Sequence, residues 1–244
     1  MERILETSPS WLKSFYVQIM KSLKGCLSAL GLLKKLDALA TRSQRFHYLR
    51  SLLAIHQLDD MIQLDIPWWT YDAIKEIENH FQQLGFNPTV FEYGSGASTI
   101  WLARRKCIVV SIEHDSSWFY RLQNKLNNYP DVKLNLIQAQ PGQAIDKYHS
   151  QKIRHASFKD YVLSIDNHPQ QYDVIIIDGR CREMCLETCL SHLKPNGLII
   201  FDNSNRKRYQ QALKASGCEI KRFYGRVPGS PFKSETAILR KNVQ

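Results

Sequence analysis

Four acidic residues each close an apolar run, and a glycine turn follows the first of them. Glu92 closes the stretch that begins at Thr89, Glu113 closes residues 107–112, Asp178 closes 172–177 and Asp202 closes 198–201. One acid in such a place is ordinary, since a strand must leave the core somewhere. Four on one rim beside two glycines are harder to attribute to chain exit. In an open parallel sheet, ligands bind outside the carboxyl ends of the strands. The turn Gly94-Ser95-Gly96-Ala97-Ser98-Thr99 supplies what a nucleotide-like ligand needs there. Its glycines let the backbone approach closely, and the helix that follows offers free N–H groups.

The turn also discriminates between ligands. A dinucleotide fingerprint is G-x-G-x-x-G, and Thr99 stands at its third glycine position. An acid at Glu92, just before the first glycine, repels a pyrophosphate and attracts a cation. A ligand with an ammonium and a sulfonium at one end and a ribose at the other suits this rim better. Glu113, roughly twenty residues on at the end of the second strand, then takes both ribose hydroxyls.

The elements that position these residues alternate between helix and strand. Pro67 confines a helix to its C-terminal side, and Thr70 or Asp72 satisfies the first N–H groups of a helix over 71–84 that Gly85 stops. Strand 89–93, helix 98–105, strand 107–113, helix 116–127 and strand 132–139 follow. Residues 141–171 are long for a simple connection and carry a helix around 158–165. Strand 172–178 is the most apolar, as expected in the middle of a parallel sheet. A helix over 182–193 is stopped by Pro195-Asn196-Gly197, and strand 198–202 and a helix over 207–216 come next. Strands 218–224 and 236–239, joined by a Pro/Gly turn without a helix, should be antiparallel. The expected fold is α/β: a doubly wound, mostly parallel seven-stranded sheet with a reversed C-terminal hairpin strand and an N-terminal helical extension.

Residues 1–60 form that extension, and 61–244 the ligand-binding domain. Between Trp11 and Leu39, apolar residues recur at helical spacing among Lys13, Lys21, Lys24, Lys34 and Lys35. The uncharged part, residues 25–33, is too short to span a bilayer. A basic amphipathic helix suits peripheral contact with an anionic membrane or a partner, although such faces more often pack on their own domain. The formal charge of +10 favours an anionic partner or acidic substrate, but no run resembles a nucleic-acid arm, so a nucleic-acid partner is not expected. None of the six cysteines forms a C-x-x-C pair, which fits reduced thiols in a cytoplasmic protein. Cys181, Cys185 and Cys189 share one helix face with Leu193 and read as small core hydrophobes rather than cluster ligands.

Glu92-Tyr93-Gly94-Ser95-Gly96, Glu113 and the Tyr172-to-Gly179 strand resemble class I S-adenosylmethionine-dependent methyltransferases over roughly residues 67–240. The family's frequent third glycine is Ser98 here. The resemblance implies S-adenosyl-L-methionine as cofactor, with Glu92 supporting its methionine end, Glu113 its ribose, Gly94, Ser95, Gly96, Ser98 and Thr99 lining it, and His114 near the adenine. A finer resemblance, to catechol and caffeoyl-type O-methyltransferases, implies a Mg²⁺, Ca²⁺ or other divalent site at Asp178, Asp202 and Asn203, where the metal lowers the pKa of a bound hydroxyl. The competing assignment has Asn203 capping the next helix. Asp178 is expected nearest the transferred methyl, as metal ligand or proton acceptor. Arg180 is expected to grip an acidic acceptor, Arg206 to sit on the same rim, and Trp68 and Trp69 to roof the acceptor pocket with the 141–171 segment. The expected reaction is methyl transfer to an oxygen or nitrogen of a small or carbohydrate-like acceptor. The alternatives are an NAD-dependent oxidoreductase and a non-catalytic module for anionic partners.

Overall fold

A computed structural model describes residues 10–54, 57–141, 147–150 and 153–242. Its centre is a sheet whose strands are buried on both faces, and their alternation divides the core. In β1 (Thr89–Tyr93), β2 (Ile108–Glu113), β7 (Tyr172–Ile177) and β8 (Leu193–Asp202), successive side chains point to opposite faces. Phe91, Tyr93, Ile175, Ile177, Ile199 and Phe201 fill one side. Val90, Val174, Ile176, Leu198 and Ile200 fill the other. Helix α5 (Tyr71–Leu84) and α6 (Ala97–Arg104) cover the second side through Ile77, Trp101 and Leu102. Helix α9 (Arg182–Cys189) and α10 (Gln210–Ala215) cover the first. Two-sided burial explains why β7 is apolar throughout.

With β3 (Val132–Leu136), β9 (Glu219–Arg226) and β10 (Lys233–Arg240), the strand order is β3-β2-β1-β7-β8-β10-β9. β10 runs antiparallel to both β8 and β9, and the remaining pairs are parallel. The expected sheet and its reversed hairpin strand are present. The fifth core strand is longer than expected. It starts at Leu193, so Pro195, Asn196 and Gly197 lie within it and do not follow a helix. The irregular register beside Tyr172 and Val174 accommodates the proline. Gly197 fits there because a side chain would strike Leu193 and the Asp173 carbonyl.

The long connection holds a small antiparallel sheet, β4 (Gln140–Pro141), β5 (His149–Ser150) and β6 (Ile153–Ser157), that the sequence did not announce. The expected helix follows as α8 (Lys159–Val162) and a 3-10 turn over Leu163–Asn167. Phe158, Tyr161, Val162 and Ile165 are fully buried. The segment thus completes the core on the α9 side, and Tyr93 ties it down by donating its hydroxyl to the Val162 carbonyl at 2.8 Å.

At the N-terminus lie α1 (Ser10–Ala29), α2 (Leu32–Ala40), α3 (Gln44–Leu52) and α4 (Leu58–Gln63). Arg50 is buried at 1% exposure and holds Asp37 at 2.6 Å and Asp60 at 3.2 Å. Lys24 bonds the same Asp60. Ser51 accepts from the Gly229 amide, and Tyr48 donates to the Ser230 carbonyl, so α3 grips the hairpin turn. α1 packs on its neighbours along one side, while Phe15, Ile19 and Leu23 stay exposed. Among the described residues no helix is long and apolar enough to cross a membrane.

Cys185 and Cys189 are wholly buried, and Cys181 nearly so, in the core cluster with Leu193. Burial pushes the Cys185 thiol well above its ordinary range. Maleimide labelling of the native protein should therefore modify Cys26, which is exposed, well before these three, which should react only on unfolding. Peptide mass spectrometry reads the order, and native labelling of Cys185 would contradict this packing.

Candidate active site

β1 has β2 on one side and β7 on the other, so the chain changes winding direction at its carboxyl end. The crevice of an open sheet forms at such a switch point. The glycine turn leaves β1 there. Gly94 has φ +94°, and a side chain on it would lie 2.7 Å from the Cα of Gly179. A side chain on Gly179 would meet the Tyr161 hydroxyl. The turns after β1 and β7 therefore touch backbone to backbone, which only glycine permits on both sides.

Glu113 ends β2 and faces that turn. Its Oε2 accepts from the Ser95 amide at 3.1 Å and the Ser95 hydroxyl at 2.8 Å. Its Oε1 accepts from the amides of His114 and Asp115 at 2.8 and 2.9 Å. Burial opposes its charge, yet the donors from His114, Asp115 and Ser95 outweigh burial and hold its pKa below the usual carboxylate range. The rim thus carries one buried, ionised carboxylate. Three backbone amides, the rotatable Ser95 hydroxyl and the His114 ring converge on it. The His114 ring lies beside Phe158 and Tyr161, with centroids 5.6 and 6.0 Å away. Its Nδ1 is 2.8 Å from Glu113 Oε1.

Glu92 plays a different part from the expected one. As an inward-facing strand residue on the side covered by α6, it is fully buried. Its carboxyl group accepts from Ser98 Oγ at 2.5 Å and from Thr99 Oγ1 and Ser111 Oγ at 2.6 Å. Thr99 Oγ1 in turn accepts from the Gly96 amide at 3.0 Å. Ser98 and Thr99 therefore brace the turn from beneath and do not line a ligand surface. Burial pushes the Glu92 pKa up to about 7 against these three hydroxyls. With its oxygens taken up by these three hydroxyls, the Glu92 carboxyl group supports the turn.

Asp178 follows β7, and its amide bonds the Tyr93 carbonyl at 2.9 Å. Asp202 ends β8 and accepts from Thr236 Oγ1 at 3.1 Å. Between the two carboxylates lies Arg182, whose Nη2 is 2.7 Å from Asp178 Oδ1 and whose Nη1 is 3.6 Å from Asp202 Oδ2. Burial raises the pKa of both acids, and Arg182 opposes it at both. The charge of Arg206 favours the ionised form of both. Asn203 has φ +52° and donates its side-chain amide to Ser234 Oγ at 3.2 Å, on the β10 side. The three residues expected to hold a divalent cation do not fit one: a guanidinium sits between the two carboxylates, and the Asn203 side chain lies against Ser234 on the β10 side.

Two further expectations are revised. Trp69 is fully buried against Trp101, ring centroids 5.6 Å apart, so it is core beneath α5 and walls no pocket. Trp68 is half-buried beside the Gly229 turn. Phe158 and Tyr161, also fully buried, pack against the His114 ring at the Glu113 end of the rim. Arg180 donates its Nε–H to His114 Nε2 at 3.2 Å, reaching from the β7 turn to the β2 turn.

With the glycine turn at the switch point, an acid at the end of β2 and one reversed strand, the layout is decided. The fold is that of the class I methyltransferases. No protein-family model matches the chain, and no curated protein matches it. Solved structures similar to it include a methyltransferase-like protein from Silicibacter pomeroyi, 22% identical over 69% of this chain and 87% of that one, with a TM-score of 0.45. Another is a SAM-dependent O-methyltransferase from Thermotoga maritima, 12% identical over 70% and 66%, TM-score 0.44. A third is an rRNA methylase from Streptococcus thermophilus, 11% identical over 69% and 95%, TM-score 0.46. The strand order, not these likenesses, fixes the fold.

Sequence reasoning missed Arg182, Ser111 and Tyr161. Arg182 had a signal, since it stands four residues after Asp178 at the start of a helix, where an acid and a base meet. Ser111 and Tyr161 had none, because their roles arise only from contacts between distant segments.

Proposed function

We propose that the chain transfers a methyl group from S-adenosylmethionine to an oxygen or nitrogen of a small, anionic or carbohydrate-like acceptor. The observation that carries this reading is Glu113, an ionised, buried carboxylate that faces the glycine turn at the switch point of the sheet. A ribose diol matches that carboxylate, and Gly96, with no atom nearer than 3.9 Å to where its side chain would stand, leaves room for a close approach. The cofactor supplies an activated methyl on a sulfonium. Glu113 anchors and orients, the turn offers amides, and Phe158, Tyr161 and His114 shield one flank from water. Asp178, 22% exposed in its side chain, stands at the rim to take the proton that the acceptor gives up as the new bond to carbon forms. Catalysis of this in-line displacement is mostly alignment and exclusion of water.

Calorimetric titration tests the reading. S-adenosylhomocysteine should bind and NAD should not. Binding of NAD without S-adenosylhomocysteine would reverse the assignment toward an oxidoreductase, and binding of neither would leave a non-catalytic module.

A further inference from the structure

The acceptor end of the rim has the acids of a divalent-cation site but not its geometry, and the reason is Arg182. We propose that the Arg182 guanidinium is the built-in cation of this rim, standing between Asp178 and Asp202 where a divalent ion would stand, so that the site operates without a metal. Its donors are distributed as a cross-link. Nε donates to the Gly179 carbonyl at 3.1 Å, and Nη1 to the Asp202 carbonyl at 2.5 Å. Nη2 donates to the Asp178 carbonyl at 2.8 Å and to Asp178 Oδ1 at 2.7 Å. One planar group thus joins the carboxyl ends of two adjacent parallel strands, β7 and β8, and neutralises part of the charge that collects there.

A hard divalent cation needs about six oxygen ligands at roughly 2.0–2.6 Å. Here Asp178 Oδ1 accepts from Arg182 Nη2, Asp202 Oδ2 lies 3.6 Å from Nη1, Asp202 Oδ1 accepts from the Thr236 hydroxyl, and the Asn203 side chain lies against Ser234. Among the described residues no cluster of three histidine, cysteine or acidic side chains can hold a metal. Arginine cannot vacate the place by losing its proton, and its side chain is only 9% exposed. A planar fork also suits the task better than a point charge, because it bonds one carboxylate and three carbonyls at fixed angles while its charge lies 3.6 Å from the second carboxylate. Of the two acids, Asp202 is 5% exposed and Asp178 22%. Arg182 therefore presents Asp178 to the crevice with one oxygen fixed. That last role rests on the methyltransferase reading; the place of the guanidinium does not.

Heat unfolding of the full chain tests the proposal without any assay of activity. The wild-type Tm should be the same in EDTA and in millimolar Mg²⁺, Ca²⁺ or Mn²⁺. Arg182→Ala leaves two carboxylates without their counter-ion. Its Tm should fall and then recover by several degrees on addition of a divalent ion, a response the wild type lacks. Arg182→Lys keeps a charge between the acids and should stay insensitive, which preserves the test should the alanine variant fail to fold. A divalent-dependent rise in Tm in the wild type or the lysine variant overturns the proposal, as does a folded alanine variant with no response. Methyl transfer separates the two readings. Transfer abolished by EDTA and restored by Mg²⁺ counts against Arg182 alone, whereas no transfer under either condition counts against the methyltransferase reading alone.

Discussion

Glu113→Ala should weaken binding of S-adenosylhomocysteine by roughly 100-fold, the equivalent of about 3 kcal/mol for hydrogen bonds to a charged group. The size follows from the environment of the carboxylate. It is buried, it is ionised because the His114 ring, the Asp115 amide and the Ser95 hydroxyl converge on it, and a ribose hydroxyl needs only to replace the Ser95 hydroxyl. Part of the loss would come from the turn, since Ser95 is held by the same carboxylate. Glu113→Gln separates the two contributions. It keeps an acceptor for Ser95 and gives up the charge, so its affinity should fall by about 10-fold. Calorimetry on both variants checks this, and an alanine variant within threefold of wild type would put the ribose somewhere else.

Glu92→Gln should change how stability depends on pH. The folded-state pKa of Glu92 is raised from 4.5 to about 7 by burial. A raised acid favours the folded state fully below its unfolded pKa, and that contribution is lost as pH climbs through the folded pKa. Stability from this residue is therefore present at pH 4.5 and gone above about pH 7, a difference on the order of 3 kcal/mol. For a chain of this size that corresponds to about 6–12 °C in Tm. Glutamine keeps hydrogen-bonding capacity toward Ser98, Thr99 and Ser111 but cannot ionise. The gap between variant and wild-type Tm should thus move by that amount, in favour of the variant, between pH 4.5 and 8. Asp178 and Asp202 slope the same way in both proteins, and what the Glu92 charge adds to the Asp178 slope goes in the same direction as the shift of the gap. Parallel Tm profiles would show that Glu92 is not the buried acid it is taken to be.

Glu92 and Glu113 show where the sequence stops speaking. Both were legible as strand-terminal acids beside a glycine turn, and the turn did lie at the rim. Their roles parted only in three dimensions. Glu113 is the last residue of its strand and looks along the rim, while Glu92 lies one residue inside β1 and points under α6, where three hydroxyls from two elements meet it. Trp69 failed for a related reason: an aromatic pair next to a proline reads equally well as a pocket wall or a plug, and only the approach of Trp101, from a helix thirty-two positions on, makes it core. In β8, helix propensity around Leu193 gave way to pairing with Tyr172, a long-range contact that local pattern does not encode.

By itself the sequence determined the sheet, its reversed hairpin strand, the buried cysteine face and the position of the glycine turn. Alternating burial and tight-turn chemistry are local, and they repeat strand after strand. Tertiary structure alone decided what each acid faces. Asp178 and Asp202 lie twenty-four positions apart in the chain, and whether such a pair takes a metal ion, a substrate or an arginine depends on what folding places between them. Here it placed Arg182, because parallel pairing of β7 and β8 brings both carboxyl ends to the first turn of α9.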